Sequence, residues 1–284
     1  MSAQKPLAVV SAGGSLPFAV ADKVLAAGRD VVVYAVRGHA DAQRVEKYRH
    51  HWIAIGQLGR FRKLLAREDC RDVVFIGSLV RPAWTQIRFD LDTLKVIPKI
   101  IASFRGGDDH LLTSLSRVVE GYGLRLLGPH EVAPDLLMPE GTLGAVMPGK
   151  DDLADIDIGL DYLRSNGRFD TGQAVVVGHN QILAVEAAEG TDGIVERIAQ
   201  LRDTGRIRLP RGVGVLVKAP KPQQDRRFDL PTIGPRTIEG IARAGLAGVA
   251  VVAGETVIVE PEAVVSAADQ AKVFAIGVKD RPSA

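Results

Sequence analysis

The stretch VGVLVKAPKPQQDRRFDLPTIGPRTIE, residues 213–239, decides how this chain is read. It opens with Val213, Gly214, Val215, Leu216 and Val217, a short apolar run of the kind that lies in the middle of a sheet. It closes with a helix predicted from Pro235, because proline suits a first helical turn and Thr237, Ile238 and Glu239 can continue it. Between the two, Pro220, Pro222 and Pro231 exclude a helix and stiffen the connection. That connection carries Lys218, Lys221, Gln223, Gln224, Asp225, Arg226, Arg227, Asp229 and Thr232. A stiff, charged loop at the carboxyl end of a buried strand is where open α/β sheets place their ligands. The alternative is a solvated connection, and prolines bracketing paired acids and bases argue for an enforced geometry instead.

Upstream, the same alternation of apolar run, turn and helix recurs. Residues 7–10 predict a strand, followed by Ser11, Ala12, Gly13, Gly14, Ser15, Leu16 and Pro17 and a helix over 18–27. Such a turn offers free N–H groups to an anion, or is simply a tight turn that needs glycine. It is a poor dinucleotide fingerprint: the glycines are adjacent, no third follows, and the next strand, 31–36, ends in Arg37 where an acid is wanted. Strands at 52–55, 73–76 and 124–127 and helices at 59–67, 94–104 and 110–121 complete a first domain, residues 1–129. Asp108 and Asp109 open the last helix, where capping alone can account for them. Residues 130–150, rich in proline and glycine, read as a linker. The second domain, 151–284, carries a helix at 151–165, strands at 174–177 and 182–186 joined through Gly178, His179 and Asn180, and a helix capped by Thr191 or Asp192. A helix at 235–244, strands at 249–252 and 256–259, a helix at 261–271 and a strand at 273–276 follow the central loop. The expected fold is α/β in two domains, an N-terminal Rossmann-like doubly wound sheet and a C-terminal mixed α/β domain, with the active site in the cleft between them.

Composition narrows the function classes. With 284 residues and 46% apolar content there is enough material for real cores. The net charge of +2, from 36 basic and 34 acidic residues without a basic tract, gives no indication of a nucleic-acid partner. The single cysteine, Cys70, excludes an intramolecular disulfide, fits a reducing compartment and reads as structural. The amino end is too short for a signal peptide, and the apolar stretch 244–254 is too short to span a bilayer, so a cytoplasmic location is expected.

His39, His50, His51, His110, His130 and His179 show no zinc spacing, and neither a G-x-S-x-G elbow nor a P-loop occurs. What is left is a set of loop carboxylates: Asp108, Asp109, Asp170, Glu189, Asp192, Asp225 and Asp229. Such oxygen donors suit Mg²⁺ or Mn²⁺, which use one or two carboxylates together with substrate phosphate. Lys218, Arg226 and Arg227 supply the positive charge that phosphoryl transfer requires. The residues alone point to a divalent-metal phosphoryl or nucleotidyl enzyme. A carrier or regulator that binds a nucleotide-sugar or lipid stays open beside it, and an NAD-dependent reductase is disfavoured by the broken fingerprint.

Four segments carry a resemblance: Gly107 to Leu112 (GDDHLL), Asp170 to Ala174 (DTGQA), Glu186 to Asp192 (EAAEGTD), and Lys218 to Arg227 (KAPKPQQDRR) with Asp229 to Pro235 (DLPTIGP). Together they resemble the LpxI-type UDP-2,3-diacylglucosamine pyrophosphatases of lipid A synthesis, and the likeness runs almost the whole chain. The family pattern differs here in the Ala12, Gly13, Gly14 turn and in Phe228, which precedes Asp229.

The resemblance implies hydrolysis of UDP-2,3-diacylglucosamine to UMP and 2,3-diacylglucosamine 1-phosphate (lipid X), with Mg²⁺ as cofactor and Mn²⁺ as a substitute. Asp225 is the implied indispensable carboxylate, with Asp229 and Lys218 beside it as catalytic residues and Asp225 and Asp192 as metal ligands. Gly13, Gly14, Gly77, Asp108, Asp109, Asp170, Thr171, Gln173, Glu189, Thr191 and Arg226 are the implied substrate contacts. The partner is then a lipid-linked UDP-sugar, exchanged peripherally at the cytoplasmic face of the inner membrane. A homodimer is compatible with the sequence. Two acyl chains need an apolar slot, and each methylene buried there contributes about 0.8 kcal/mol.

Overall fold

Residues 4–78, 90, 92–94, 116–169, 171–222 and 224–280 are described in the computed structural model. The chain divides into two units, Met1–Asp135 with Asp225–Asp229, and Leu136–Gln224 with Leu230–Ala284. The second half of the central loop thus counts with the amino-terminal unit, while the residues on either side of it count with the other.

The first unit is built on five strands, of which the central three are valine-rich runs without polar alternation, the pattern of strands buried on both faces. They are β1 (Leu7–Ser11), β2 (Val31–Val36), β3 (His50–Ile53), β4 (Asp72–Ile76) and β5 (Arg125–Leu127). All pairings are parallel, in the order β3-β2-β1-β4-β5, with Leu7 in register with both Val31 and Asp72. From β1 the chain steps outward to β2 and β3, then returns to β4 and β5 on the other side. Right-handed crossovers in opposite directions place helices on opposite faces, the doubly wound arrangement. Helix α1 (Leu16–Ala26) follows β1, short α2 (Ala42–Val45) follows β2, α3 (Leu58–Arg67) follows β3, and α4 (Pro129–Val132) follows β5. Phe61 and Leu65, four apart on α3, pack with Val10, Val32, Tyr34 and Cys70 on one face of the sheet. Burial pushes the Cys70 thiol up, which agrees with a structural cysteine. Strand β3 begins two residues before the expected 52–55, because His50 and His51 pair with Val33 and Tyr34. Most of the helices expected at 94–104 and 110–121 lie outside the described residues.

The second unit has six strands in one sheet, ordered β6-β13-β11-β9-β7-β8. These are β6 (Gly141–Leu143), β7 (Ala174–Gly178), β8 (Gln181–Val185), β9 (Val215–Lys218), β11 (Gly248–Val252) and β13 (Phe274–Val278). Strands β9, β11 and β13 run parallel, and β6, at one edge, is antiparallel to β13. At the other side β7 runs antiparallel to both β9 and β8. Alternate side chains separate two cores. Ala174, Val176, Leu216, Val249 and Val251 face α6 (Gly190–Asp203), α7 (Pro235–Ala244) and α8 (Pro261–Ala271) through Ile194, Ile198, Ile238, Ile241 and Val264. Val175, Val177, Val215, Val217 and Ala250 face α5 (Lys150–Asn166) through Ile156, Leu160 and Leu163. The β7–β8 hairpin turns at His179 and Asn180, both at positive φ, and buried Asp155 accepts from their N–H groups at 3.1 and 2.7 Å.

Two expectations change. The strand expected at 256–259 shrinks to β12 (Val257–Ile258) and leaves the main sheet to pair in parallel with β10 (Thr232–Ile233). Residues 130–150 carry structure of their own: most of α4, a 3₁₀ turn at Pro134–Leu136, and β6. Among the described residues no helix is long and apolar enough to cross a membrane.

Candidate active site

Strand pairing assembles the first group of expected residues at one end of the six-stranded sheet. Lys218 ends β9, and the antiparallel register sets it opposite Ala174, the first residue of β7. Val185 ends β8 opposite Val175, so Glu186 emerges at the same end, its N–H bonded to the Ala174 carbonyl at 2.9 Å. Helix α6 begins at Gly190 and puts Thr191 in its first turn. These elements converge on a chain of hydrogen bonds. Lys218, 6% exposed, donates from Nζ to Thr191 Oγ1 at 3.0 Å and to the Thr232 carbonyl at 2.9 Å. Thr191 Oγ1 donates onward to Glu186 Oε1 at 2.8 Å, and Glu186 Oε2 accepts from the Gln173 N–H at 2.6 Å. The result is a buried Lys218 side chain whose Nζ is held in one place at the carboxyl end of a strand.

Thr191 therefore does not cap its helix with its side chain. The cap position is Glu189, whose carboxylate pairs with Arg197 at 3.0 Å and accepts from the Ala187 N–H at 3.2 Å. Thr171 is half-buried just ahead of β7. Asp192 points outward, 70% exposed, and meets Arg236 at 3.3 Å. Asp170, with Asp108, Asp109 and Gln223, lies outside the described residues.

The second group belongs to the amino-terminal unit. There the topological switch falls between β1 and β4, the place where open parallel sheets bind ligands. The turn after β1 and the turn after β4 are locked together: Gly13 N–H donates to the Ser78 carbonyl and Ser78 N–H to the Gly13 carbonyl, each at 3.0 Å. Gly77 sits at φ +106°, and a Cβ there would lie 2.4 Å from the Gly13 oxygen, so only glycine permits the approach. The expected residues Gly13, Gly14 and Gly77 are thereby brought together.

Residues Asp225–Asp229 dock on this same unit. Phe228 packs its ring against Phe75 of β4 at 5.8 Å. Arg227 reaches Glu120 at 2.6 Å and grips both oxygens of Asp225: Nε lies 2.9 Å from Oδ1 and Nη2 2.7 Å from Oδ2. The Arg227 backbone N–H also donates to Oδ1 at 3.0 Å. These bonds, above all the guanidinium, hold the Asp225 carboxyl below the usual carboxylate range. Asp225 is thus ionised, and one fifth of its side chain is open to solvent. Arg226 and Asp229 are exposed, and the Asp229 N–H closes the turn onto the Asp225 carbonyl at 3.3 Å.

A divalent cation can be tested against these donors. Among the described residues no group of three or more His, Cys, Asp or Glu gathers in metal-binding geometry. Mg²⁺ held by one or two carboxylates and a substrate phosphate needs no such group. A carboxylate has about four lone-pair sites, so Asp225 can keep Arg227 and still serve a hard cation. The donor set fits that mode.

Sequence reasoning gave no role to Glu186, Glu120 or His130. Glu186 stood inside a quoted motif, and its acceptor role could have been suspected from Thr191 nearby. Glu120 is brought in by a contact 107 residues apart, and no local pattern announces it.

Comparison with known proteins covers both units. Residues 6–136 match the LpxI N-terminal domain and residues 139–276 the LpxI C-terminal domain. The chain is 42% identical over 280 residues to the UDP-2,3-diacylglucosamine pyrophosphatase LpxI of Caulobacter vibrioides, covering 98% of this chain and all of the relative.

Proposed function

The chain belongs to the LpxI family, and on that premise we propose that it hydrolyses the pyrophosphate bond of UDP-2,3-diacylglucosamine in lipid A biosynthesis. The products are UMP and 2,3-diacylglucosamine 1-phosphate. The observation that carries this reading is the end-to-end match to a relative of that name.

Asp225 is the essential carboxylate in this reading, because it is kept ionised by Arg227 and is still reachable from solvent. It orients the attacking water or holds Mg²⁺, which when bound supplies Lewis-acid polarisation of the phosphoryl oxygens. Water adds its oxygen to the β-phosphorus and gives up a proton to solvent, the bond from that phosphorus to the bridging oxygen breaks, and the electron pair leaves with UMP. Lys218 neutralises charge on the phosphoryl oxygens, and its bonds to Thr191 and Thr232 mean that no reorganisation is needed as that charge develops. Asp229 is the second carboxylate. The locked turns at Gly13, Gly14 and Gly77 receive the nucleotide or sugar, with Thr171, Gln173, Glu189, Thr191 and Arg226 as further contacts. A substrate with two acyl chains would be met peripherally at a membrane surface.

The test is incubation of purified protein with UDP-2,3-diacylglucosamine and Mg²⁺. UMP formation supports the reading, and recovery of the intact nucleotide lipid would turn it into that of a carrier.

A further inference from the structure

The machinery described so far does not use His130. Its imidazole lies in the second position of α4, at the carboxyl end of β5, and folds back over Gly128. A Cβ at Gly128 would stand 2.4 Å from His130 Cε1 and 2.5 Å from Nδ1, so glycine is what lets the ring lie there. The same Cβ would be 3.1 Å from the Arg226 carbonyl, which places the ring beside the backbone of the catalytic segment.

One atom of that ring is anomalous. Nδ1 is buried and has no hydrogen-bond partner, one of few such atoms among the described residues. A buried ring nitrogen left unpaired costs about 1–3 kcal/mol, and natural structures tolerate such groups mainly where a ligand or water completes them. The helix cap does not use the imidazole: Glu131 accepts from the N–H of the cap residue Gly128 at 2.7 Å. The ring that carries the orphaned nitrogen lies beside the backbone of the segment that holds Asp225.

We propose that His130 is a further residue of the hydrolytic site, its Nδ1 hydrogen-bonding the water that Asp225 presents to the pyrophosphate. This rests on the hydrolase reading above. The role is one of position: Nδ1 supplies a fixed hydrogen-bonding point, and the proton balance of the step is unchanged from that already described. It therefore depends on which end of the side chain carries the nitrogen. An asparagine amide occupies the place of Nδ1 and can accept or donate there, whereas a glutamine amide extends to the place of Nε2.

The experiment compares wild type, His130→Asn, His130→Gln and His130→Ala for kcat and KM on UDP-2,3-diacylglucosamine with Mg²⁺, with melting temperatures measured alongside. The glutamine and alanine variants should lose on the order of 10²-fold in kcat, as expected for a displaced reactant, with KM little changed. The asparagine variant should stay closer to wild type than to either. Equal kcat in all four proteins, or glutamine rescuing where asparagine does not, would overturn the assignment while leaving the hydrolase reading intact. Loss in KM or melting temperature alone would make His130 a structural residue. A wild type without turnover would remove the parent reading and this one together.

Discussion

Arg227 closes a two-pronged ion pair on Asp225, with Nε 2.9 Å from Oδ1 and Nη2 2.7 Å from Oδ2. Such a fork fixes the plane of the carboxylate as well as its charge. Asp225→Ala is expected to abolish turnover while substrate still binds, because Pro220, Pro222 and Pro231 keep the loop in shape. Asp225→Asn should behave the same way, since a neutral amide is a poor base and metal ligand. A variant keeping more than about a tenth of the wild-type rate, a loss of only ~1.4 kcal/mol, would remove Asp225 from the chemistry.

Arg227 also sets the acid limit of activity. A carboxyl held below its ordinary value stays ionised to lower pH, so wild-type kcat should persist into acid and fall as pH drops through that lowered value. Arg227→Ala returns Asp225 toward the ordinary carboxylate range and should move the acidic limb to higher pH. A pH–rate profile of both proteins decides it, and coincident acidic limbs would contradict the pairing argument.

Lys218 offers a test on the other unit. Lys218→Met keeps much of the side-chain volume and removes the charge, and kcat should fall by about 10²–10³, the loss typical of one electrostatic contact to a developing oxyanion. Thr191→Val cuts only the hydroxyl link between Lys218 and Glu186, so its effect should be smaller and in the same direction. Steady-state kinetics on both variants gives the order, and a Thr191→Val loss exceeding that of Lys218→Met would reverse the roles assigned here.

Much of the fold could be read from the chain because its signals are local. The run at 31–36 is apolar throughout, and the proline-led helices Pro235–Ala244 and Pro261–Ala271 begin where a first-turn proline is tolerated. Lys218 was read as loop because it is charged, yet it is the last residue of β9 and pairs with Val251 and Ala174. Its burial depends on Thr191 and Thr232, which arrive from elsewhere in the chain. Thr191 looked like a helix cap for a related reason: a hydroxyl in a first turn is ordinarily a cap, and here Glu186 and Lys218 have taken it. The acidic motif residues were legible as a set through resemblance. Their partners Glu120 and His130 were not, since only folding puts them beside Asp225–Asp229.

The fold of the amino-terminal unit has its own acid sensitivity. Asp72, at the start of β4, is bound by Arg29 at 2.6 Å and by Arg125 at 2.7 and 2.8 Å. Burial acts to raise its carboxyl, and the hydrogen bonds from Arg125 and Arg29 outweigh that, leaving it below the usual range. A lowered carboxyl contributes its stability in full above the unfolded value of about 3.9 and loses it as pH falls through the folded value. Asp72→Asn leaves Arg29 buried with a neutral partner and should cost about 3 kcal/mol at neutral pH. Urea unfolding at neutral and acidic pH should show the gap closing in acid. A gap that is absent at pH 7 would make the triad a surface feature.

Metal dependence is separable from all of these. Activity should vanish in excess EDTA and return with Mg²⁺ or Mn²⁺, and elemental analysis should find no tightly held zinc. Full turnover in excess chelator would leave Lys218 and the arginines as the electrophiles.

The measurement closest to the central claim is hydrolysis of UDP-2,3-diacylglucosamine in ¹⁸O-water with Mg²⁺, followed by mass analysis of both products. Water attack on the β-phosphorus predicts unlabelled UMP and one ¹⁸O in the 2,3-diacylglucosamine 1-phosphate. Label in UMP would place the attack on the other phosphorus, and intact substrate in both wild type and control would contradict the account as a whole.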